Sequence, residues 1–372
     1  MKPATDPSAL PPQSEHSVPM FWPFAAAFEN WERSLDFLKA AQEIDHPPAP
    51  LWATANTIRL DLPTMRLREF SAPDAEGVPV LIDAPFAGHS STIADYAPGQ
   101  SLVQTLLSNG VKHVLSTDWK SATPEMRYFS IDTYLAELNA AIDDLGGQVH
   151  LVGLCQGGWL SAMLAARFPH KVKSLVLAGS PIDTDAGDGP IKHMAHSLPL
   201  STYEEMVAMG GGLMPGKFML AGWKNMHPQE QYADKYVRLY ENLTDKNYLT
   251  RTEKFESWYE NPLDLPGRYY LQAIRELFKE NRFAKGEFVG LGRKLNMKDI
   301  VAPTFLLAGE ADDITTSEQV FAAVGLFGTS ADRIVRKLVP GGHIGLFMGH
   351  KTLAEAWPGI AQWIIANDKG NG

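Results

Sequence analysis

The chain has a single cysteine, set in the sequence Val149-His150-Leu151-Val152-Gly153-Leu154-Cys155-Gln156-Gly157-Gly158-Trp159. An apolar run that ends in Gly-x-Cys-x-Gly and passes into an amphipathic segment has the pattern of a sharp strand-to-helix turn presenting a nucleophile, with sulfur in place of the usual hydroxyl. Backbone segments close in two positions either side of the nucleophile, so small residues are needed there, and Gly153 and Gly157 supply them. In such a turn the backbone N–H of Gln156 points toward a developing oxyanion, and the start of the following helix favours the thiolate. The chemistry these residues fit is acyl transfer through a covalent thioester.

A thiol nucleophile works with a base, and the base with an acid that orients it. Gly309-Glu310-Ala311-Asp312-Asp313-Ile314 follows the apolar run 304–308, and Pro340-Gly341-Gly342-His343-Ile344-Gly345 follows the run 333–339. Nucleophile, then acid, then histidine, each acid–base partner in a loop after a late strand, is the order of the α/β-hydrolase fold. His343 is the candidate base and Asp312 its orienter, with Asp313 the competing acid. A second oxyanion donor is expected from the loop Pro85-Phe86-Ala87-Gly88-His89, through the N–H of Phe86 or Ala87. His89 and Trp159 are candidate substrate contacts.

The elements needed to hold these groups are legible as alternating runs. Short apolar strands are expected at 57–62, 65–70 and 79–84, then a helix at 101–108, a strand at 112–117, a helix at 131–145, a strand at 149–154, a helix at 157–168 and a strand at 174–178. That alternation implies a mostly parallel sheet covered on both faces. After Ser180-Pro181 it gives way to aromatic-rich helical segments such as 232–240, 254–259 and 269–281, the pattern of an inserted helical cap. It resumes at 303–308 and 333–339 and ends in a helix at 353–366. The expected divisions are an N-terminal tail with one amphipathic helix (1–50), a core in two parts (51–182 and 299–372) and the cap (183–298). Asp132 is expected to cap a helix, and His193 and His196 lack an evident third ligand for a metal.

Composition narrows the function. With 372 residues, 45% apolar and 20% charged, the chain is of ordinary globular make-up. Lys and Arg total 33 against 43 Asp and Glu, a net charge of −10, so the overall field repels nucleic acid. One cysteine forms no intrachain disulfide and fits a reducing, cytoplasmic compartment. No apolar run reaches the roughly 18 residues of a membrane span, and residues 1–20 show no secretory signal.

Over residues 55–365 the chain resembles the Cys-nucleophile α/β-hydrolases of polyhydroxyalkanoate metabolism, the polymer synthases and the intracellular depolymerases. Gly153-Leu154-Cys155-Gln156-Gly157-Gly158 and Phe168-Pro169-His170-Lys171-Val172 look like the short synthases that work with a second subunit. Ala84-Pro85-Phe86-Ala87-Gly88-His89, Thr117-Asp118-Trp119, the acid loop and Gly342-His343-Ile344-Gly345-Leu346-Phe347-Met348-Gly349 look like the depolymerases, which however place Gln-Pro after the cysteine where this chain has Gln156-Gly157. The resemblance carries the family's Cys, Asp and His onto Cys155, Asp312 and His343. It implies first a depolymerase cleaving 3-hydroxyacyl esters, and as alternatives a synthase drawing on 3-hydroxyacyl-CoA, a small-ester or lactone hydrolase, or a non-catalytic granule-binding protein. No cofactor or metal is expected, coenzyme A entering as substrate or acceptor. Expected partners are the polyester or acyl-CoA substrate, a granule surface, a second subunit, or a second copy of the chain as a homodimer. Residues 21–38 are a candidate surface for a granule or partner helix.

Overall fold

In the computed structural model, which describes residues 22–72 and 75–369, the apolar runs become the centre of one eight-stranded sheet. Along the chain its strands are β1 (Thr57–Asp61), β2 (Met65–Glu69), β3 (Val80–Asp83), β4 (Val114–Trp119), β5 (Val149–Leu154), β6 (Val172–Ala178), β7 (Thr304–Gly309) and β8 (Ile334–Val339). In space they follow the order β1-β2-β4-β3-β5-β6-β7-β8. The β1–β2 and β2–β4 pairs are antiparallel and all the others parallel. Every residue of β3, β5 and β7 is buried, which explains why these strands read as continuous apolar runs rather than alternating ones.

Strand side chains alternate between two apolar layers. Leu81, Leu115, Leu151 and Leu175 face the layer closed by helices α3 (Ile131–Asp144) and α4 (Gln156–Arg167). Val80, Ile82, Val152 and Val176 face the opposite layer, which holds Leu102 and Leu106 of α2 (Leu102–Ser108) and Trp357, Ile360 and Ile364 near the C-terminus. The C-terminal segment differs from the single expected helix. It forms two, His350–Glu355 and Trp357–Lys369, because Pro358 has no N–H to continue the first across the junction.

Residues between β6 and β7 add no strand to this sheet. They form helices α5 (Pro190–Ser197), α6 (Leu200–Met209), α7 (Gly216–Met226), α8 (Lys235–Glu241), α9 (Lys246–Tyr259) and α10 (Gly267–Gln272), the last widening into a π-helical segment, Ala273–Lys279. The N-terminal helix α1 (Trp22–Asp45) lies on this cap. Arg33 donates to the Tyr240 carbonyl and sits 4.4 Å from that ring's centre, and the Tyr236 hydroxyl donates to Asp45 at 2.7 Å. Ser257 and Asn261 donate to the Pro48 carbonyl at 2.9 and 3.0 Å, so the stretch His46-Pro47-Pro48-Ala49-Pro50 that follows α1 is fastened to the cap. Trp31, Leu35 and Leu38 are exposed on α1. The expected tail up to residue 21 lies outside the described residues. Among those described, no helix is long and apolar enough to cross a membrane.

Asp132 does not cap α3. Ser130 occupies that position, and Asp132, two residues on in the first turn, accepts instead from the backbone N–H of Leu291 at 2.8 Å. His193 and His196 face single carboxylates, Asp188 at 2.7 Å and Asp185 at 3.8 Å.

Candidate active site

Cys155 stands between β5 and α4 with φ 50° and ψ −118°, a backbone conformation that L-residues avoid at a cost of about 1–3 kcal/mol. The surrounding close packing enforces it. A Cβ on Gly153 would lie 2.4 Å from the Gly158 Cα, one on Gly157 would lie 2.1 Å from the Asp83 carbonyl oxygen, and one on Gly158 would lie 1.7 Å from the Ser180 hydroxyl. The end of β3 thus presses against the first turn of α4, and no side chain, proline included, fits at position 157.

Asp312 and His343, from the loops after β7 and β8, meet beside the thiol. Both are 7% exposed, and the His343 Nδ1–H donates to Asp312 Oδ2 at 2.8 Å. The other carboxylate oxygen accepts from the backbone N–H groups of Ile314 and Thr315 at 3.0 and 2.8 Å, which fixes the acid's orientation. Burial disfavours the imidazolium of His343, but the negative charges of Cys155 and Asp312, with the hydrogen bonds to them, outweigh it and raise the pKa to about 10. Among the described residues the buried Nε2 has no hydrogen-bond partner, and the nearby Cys155 is the first of the charges that raise the ring's pKa. The arrangement favours a protonated His343 ring beside the Cys155 sulfur at neutral pH.

Asp313, the competing acid, points elsewhere: its Oδ2 is 2.8 Å from His227 Nε2 at the end of α7, a link between cap and core. Nothing local in the sequence marks His227 for this pairing.

Two cavities meet at Cys155 and share Ala87, Trp223 and Ile314 in their walls. One, of about 330 Å³, lies toward His343, His89 and Tyr259. The other, of about 260 Å³, runs between α4 and the cap past Trp159, Met206, Phe218 and Tyr270. Of the two expected oxyanion donors in the loop after β3, Ala87 borders both cavities. Phe86 borders neither, and its ring stacks into the core against Tyr134 at 4.9 Å. Among the described hydrogen bonds the N–H groups of Gln156 and Ala87 are committed to no other acceptor. His89 packs against the rings of Trp258 and Tyr259, at 4.6 and 5.1 Å. Burial there lowers its pKa to about 4, so the ring is neutral at physiological pH.

Beneath the turn, Asp83 is fully buried and accepts from the Ser161 hydroxyl at 3.0 Å. Desolvation holds its pKa well above the ordinary carboxyl value. The run Val-Leu-Ile-Asp reads as strand and gives no sign of a desolvated acid.

A family described as a protein of unknown function (DUF3141) matches residues 65–338. The chain belongs to the DUF3141 family. This DUF3141 chain is also similar to proteins named poly(3-hydroxyalkanoate) polymerase subunit PhaC. The one from Haloferax mediterranei is 27% identical over 76% of this chain and 56% of its own length. The one from Allochromatium vinosum is 26% identical over 89% of this chain and 93% of its own length. The chain therefore spans little more than half of the Haloferax relative and nearly all of the Allochromatium one. A carboxylesterase structure from Nitrososphaera gargenis superposes with a TM-score of 0.53 at 16% identity, over 83% of this chain and 99% of that one. The α/β-hydrolase fold read from the sequence is thus the fold observed.

Proposed function

We propose that this protein is a polyhydroxyalkanoate synthase-type acyltransferase working through an acyl-thioester on Cys155. The observation that carries the reading is the strained thiol paired with His343 at the meeting point of two cavities, room for an acyl donor and an acceptor on either side. Similarity to polymerase subunits across most of the chain favours this direction over the depolymerase expected first from the acid and histidine loops.

In the proposed reaction the Cys155 thiolate attacks the carbonyl carbon of a 3-hydroxyacyl-CoA. The N–H groups of Gln156 and Ala87 receive the oxyanion. The bond from the carbonyl carbon to the coenzyme A sulfur breaks, that sulfur takes the proton from His343 Nε2, and free CoA leaves an acyl-Cys155 thioester. His343, now neutral and oriented by Asp312, accepts the proton of a hydroxyl at the end of a second hydroxyacyl group. The alkoxide attacks the thioester, the Cys155 sulfur departs as thiolate, and the ester gains one unit while His343 keeps the proton. Water in place of the hydroxyl gives the depolymerase outcome from the same intermediate.

Purified protein incubated separately with 3-hydroxybutyryl-CoA and with amorphous polymer granules tests the direction. CoA release with polymer formation is expected in the first, and no soluble hydroxyacid in the second. Degradation of granules without CoA release contradicts the proposal.

A further inference from the structure

Asp83, the last residue of β3, meets α4 at two points. Its carbonyl oxygen lies only 2.1 Å from where a Cβ on Gly157 would stand, so the strand end and the first helical turn are in backbone contact. One turn further along α4, the Ser161 hydroxyl donates to Asp83 Oδ2 at 3.0 Å, and both side chains are fully buried. Two contacts from one residue limit how far α4 can slide or rotate against the end of β3. On its other side the strand end is tied to β4: the Ala84 N–H donates to the Thr117 hydroxyl at 3.0 Å, and the Trp119 indole N–H donates to the Ala84 carbonyl at 2.8 Å. The two N–H groups assigned to the oxyanion hang from these same elements. Gln156 opens α4, and Ala87 stands four residues after Asp83. A buried carboxyl is a costly way to hold one hydrogen bond, because desolvation disfavours its charged form and no cation among the described residues pairs with it. A residue that breaks the rules of a buried sheet in this way is expected where function requires it.

We propose that Asp83 is a positioning residue whose contact with Ser161 sets the separation of the Gln156 and Ala87 N–H groups, so that both reach the oxyanion formed when Cys155 is acylated. Asp83 touches no substrate and acts only through these two backbone donors. The inference rests on the thioester chemistry of the proposed function, whichever acceptor follows. Both donors must lie about 2.7–3.1 Å from one oxygen, and a displacement of about 1 Å is enough to cost on the order of a hundredfold in rate.

The test compares the full chain with Asp83→Ala, Ser161→Ala, the double variant and Asp83→Asn. Two rates at Cys155 are read in each: the burst of p-nitrophenol from p-nitrophenyl acetate, which passes through an oxyanion, and alkylation by iodoacetamide, which forms none. Asp83→Ala and Ser161→Ala should each slow the maximal burst rate by about ten- to a hundredfold and leave alkylation within about threefold. The double variant should be no slower than the slower single one, since both break the same contact. Asp83→Asn keeps an acceptor for the Ser161 hydroxyl and should hold the burst within about threefold of the unsubstituted rate. Ser161→Ala removes a single hydroxyl and carries the test if Asp83→Ala does not fold. An unchanged burst in the single variants, losses that multiply in the double one, or parallel losses of burst and alkylation overturn the inference. The ester acylates the thiol without coenzyme A or polymer, so failure of the acyltransferase reading, scored separately by CoA release from 3-hydroxybutyryl-CoA, is distinguishable from failure of this one.

Discussion

His343 Nδ1 and Asp312 Oδ2 lie 2.8 Å apart in a buried contact, while the adjacent Asp313 reaches His227 of the cap at the same distance. Two neighbouring carboxylates thus serve two different histidines. The contrast predicts opposite outcomes for the same substitution: Asp312→Asn should lower the rate of CoA release by about 10²–10⁴-fold through loss of imidazolium support and the wrong tautomer. Asp313→Asn should stay within about threefold of the unsubstituted protein. Steady-state assays of the two variants side by side check this, and equal losses would show that the assignment of Asp312 is incorrect.

The imidazolium of His343 is the form the site favours, with its pKa raised from 6.5 to about 10. Because the folded state holds this proton more tightly than the unfolded chain does, the associated stability is fully present below pH 6.5 and is lost as pH rises through about 10. An NMR titration of the His343 ring should show it protonated through neutral pH. Removing the thiol with Cys155→Ala, or the carboxylate with Asp312→Asn, should move the midpoint down. A midpoint unchanged in both variants would exclude the charge pair.

Gly157→Ala tests the turn. Its Cβ would lie 2.1 Å from the Asp83 backbone oxygen, which belongs to a sheet strand and has no flexible end to move. A loss of roughly 3 kcal/mol or more is expected, toward the upper end of overpacking costs. Chemical denaturation measures it. Gly359→Ala, where a Cβ meets nothing within 4 Å, is the control.

Asp83 offers a pH test of a different sign. A carboxyl whose folded pKa is raised loses stability as pH rises above the unfolded value of 3.8, because the unfolded chain releases the proton more readily. Asp83→Asn keeps an acceptor for the Ser161 hydroxyl and removes that dependence. Its melting temperature relative to the unsubstituted protein should therefore climb between pH 4 and pH 8. A constant difference across that range would mean that Asp83 is ionised in the fold.

The turn at Cys155, the loop acid and the loop histidine were legible because each signal is local: glycines at fixed offsets, and short loops after apolar strands. Position 157 shows the limit of that legibility. Its glycine could be named from the pattern, but the Asp83 carbonyl that requires it lies far back in the chain at the end of β3. His227 is further from reach, since its link to Asp313 exists only once α7 of the cap lies over the core. The cap aromatics suit an apolar channel on composition alone. Which of them border a cavity, as Trp223 does, depends on how α4 and α7 face one another. The amphipathic pattern of α1 likewise predicts a helix but not the cap helices that receive Arg33 and Phe37. Asp132 has the side chain of a helix cap, but Ser130, two residues earlier, offers an equally good one and takes the position.

The central claim is that Cys155 carries the acyl group. Acid-quenched protein from a brief incubation with 3-hydroxybutyryl-CoA, measured by intact mass and then by peptide mapping, tests it most directly. The account predicts a mass increase of one or more 3-hydroxybutyryl groups, located on the peptide containing Cys155 and lost on treatment with hydroxylamine. It predicts no such increase in Cys155→Ala. Steady release of CoA by Cys155→Ala at the rate of the unsubstituted protein would contradict the account.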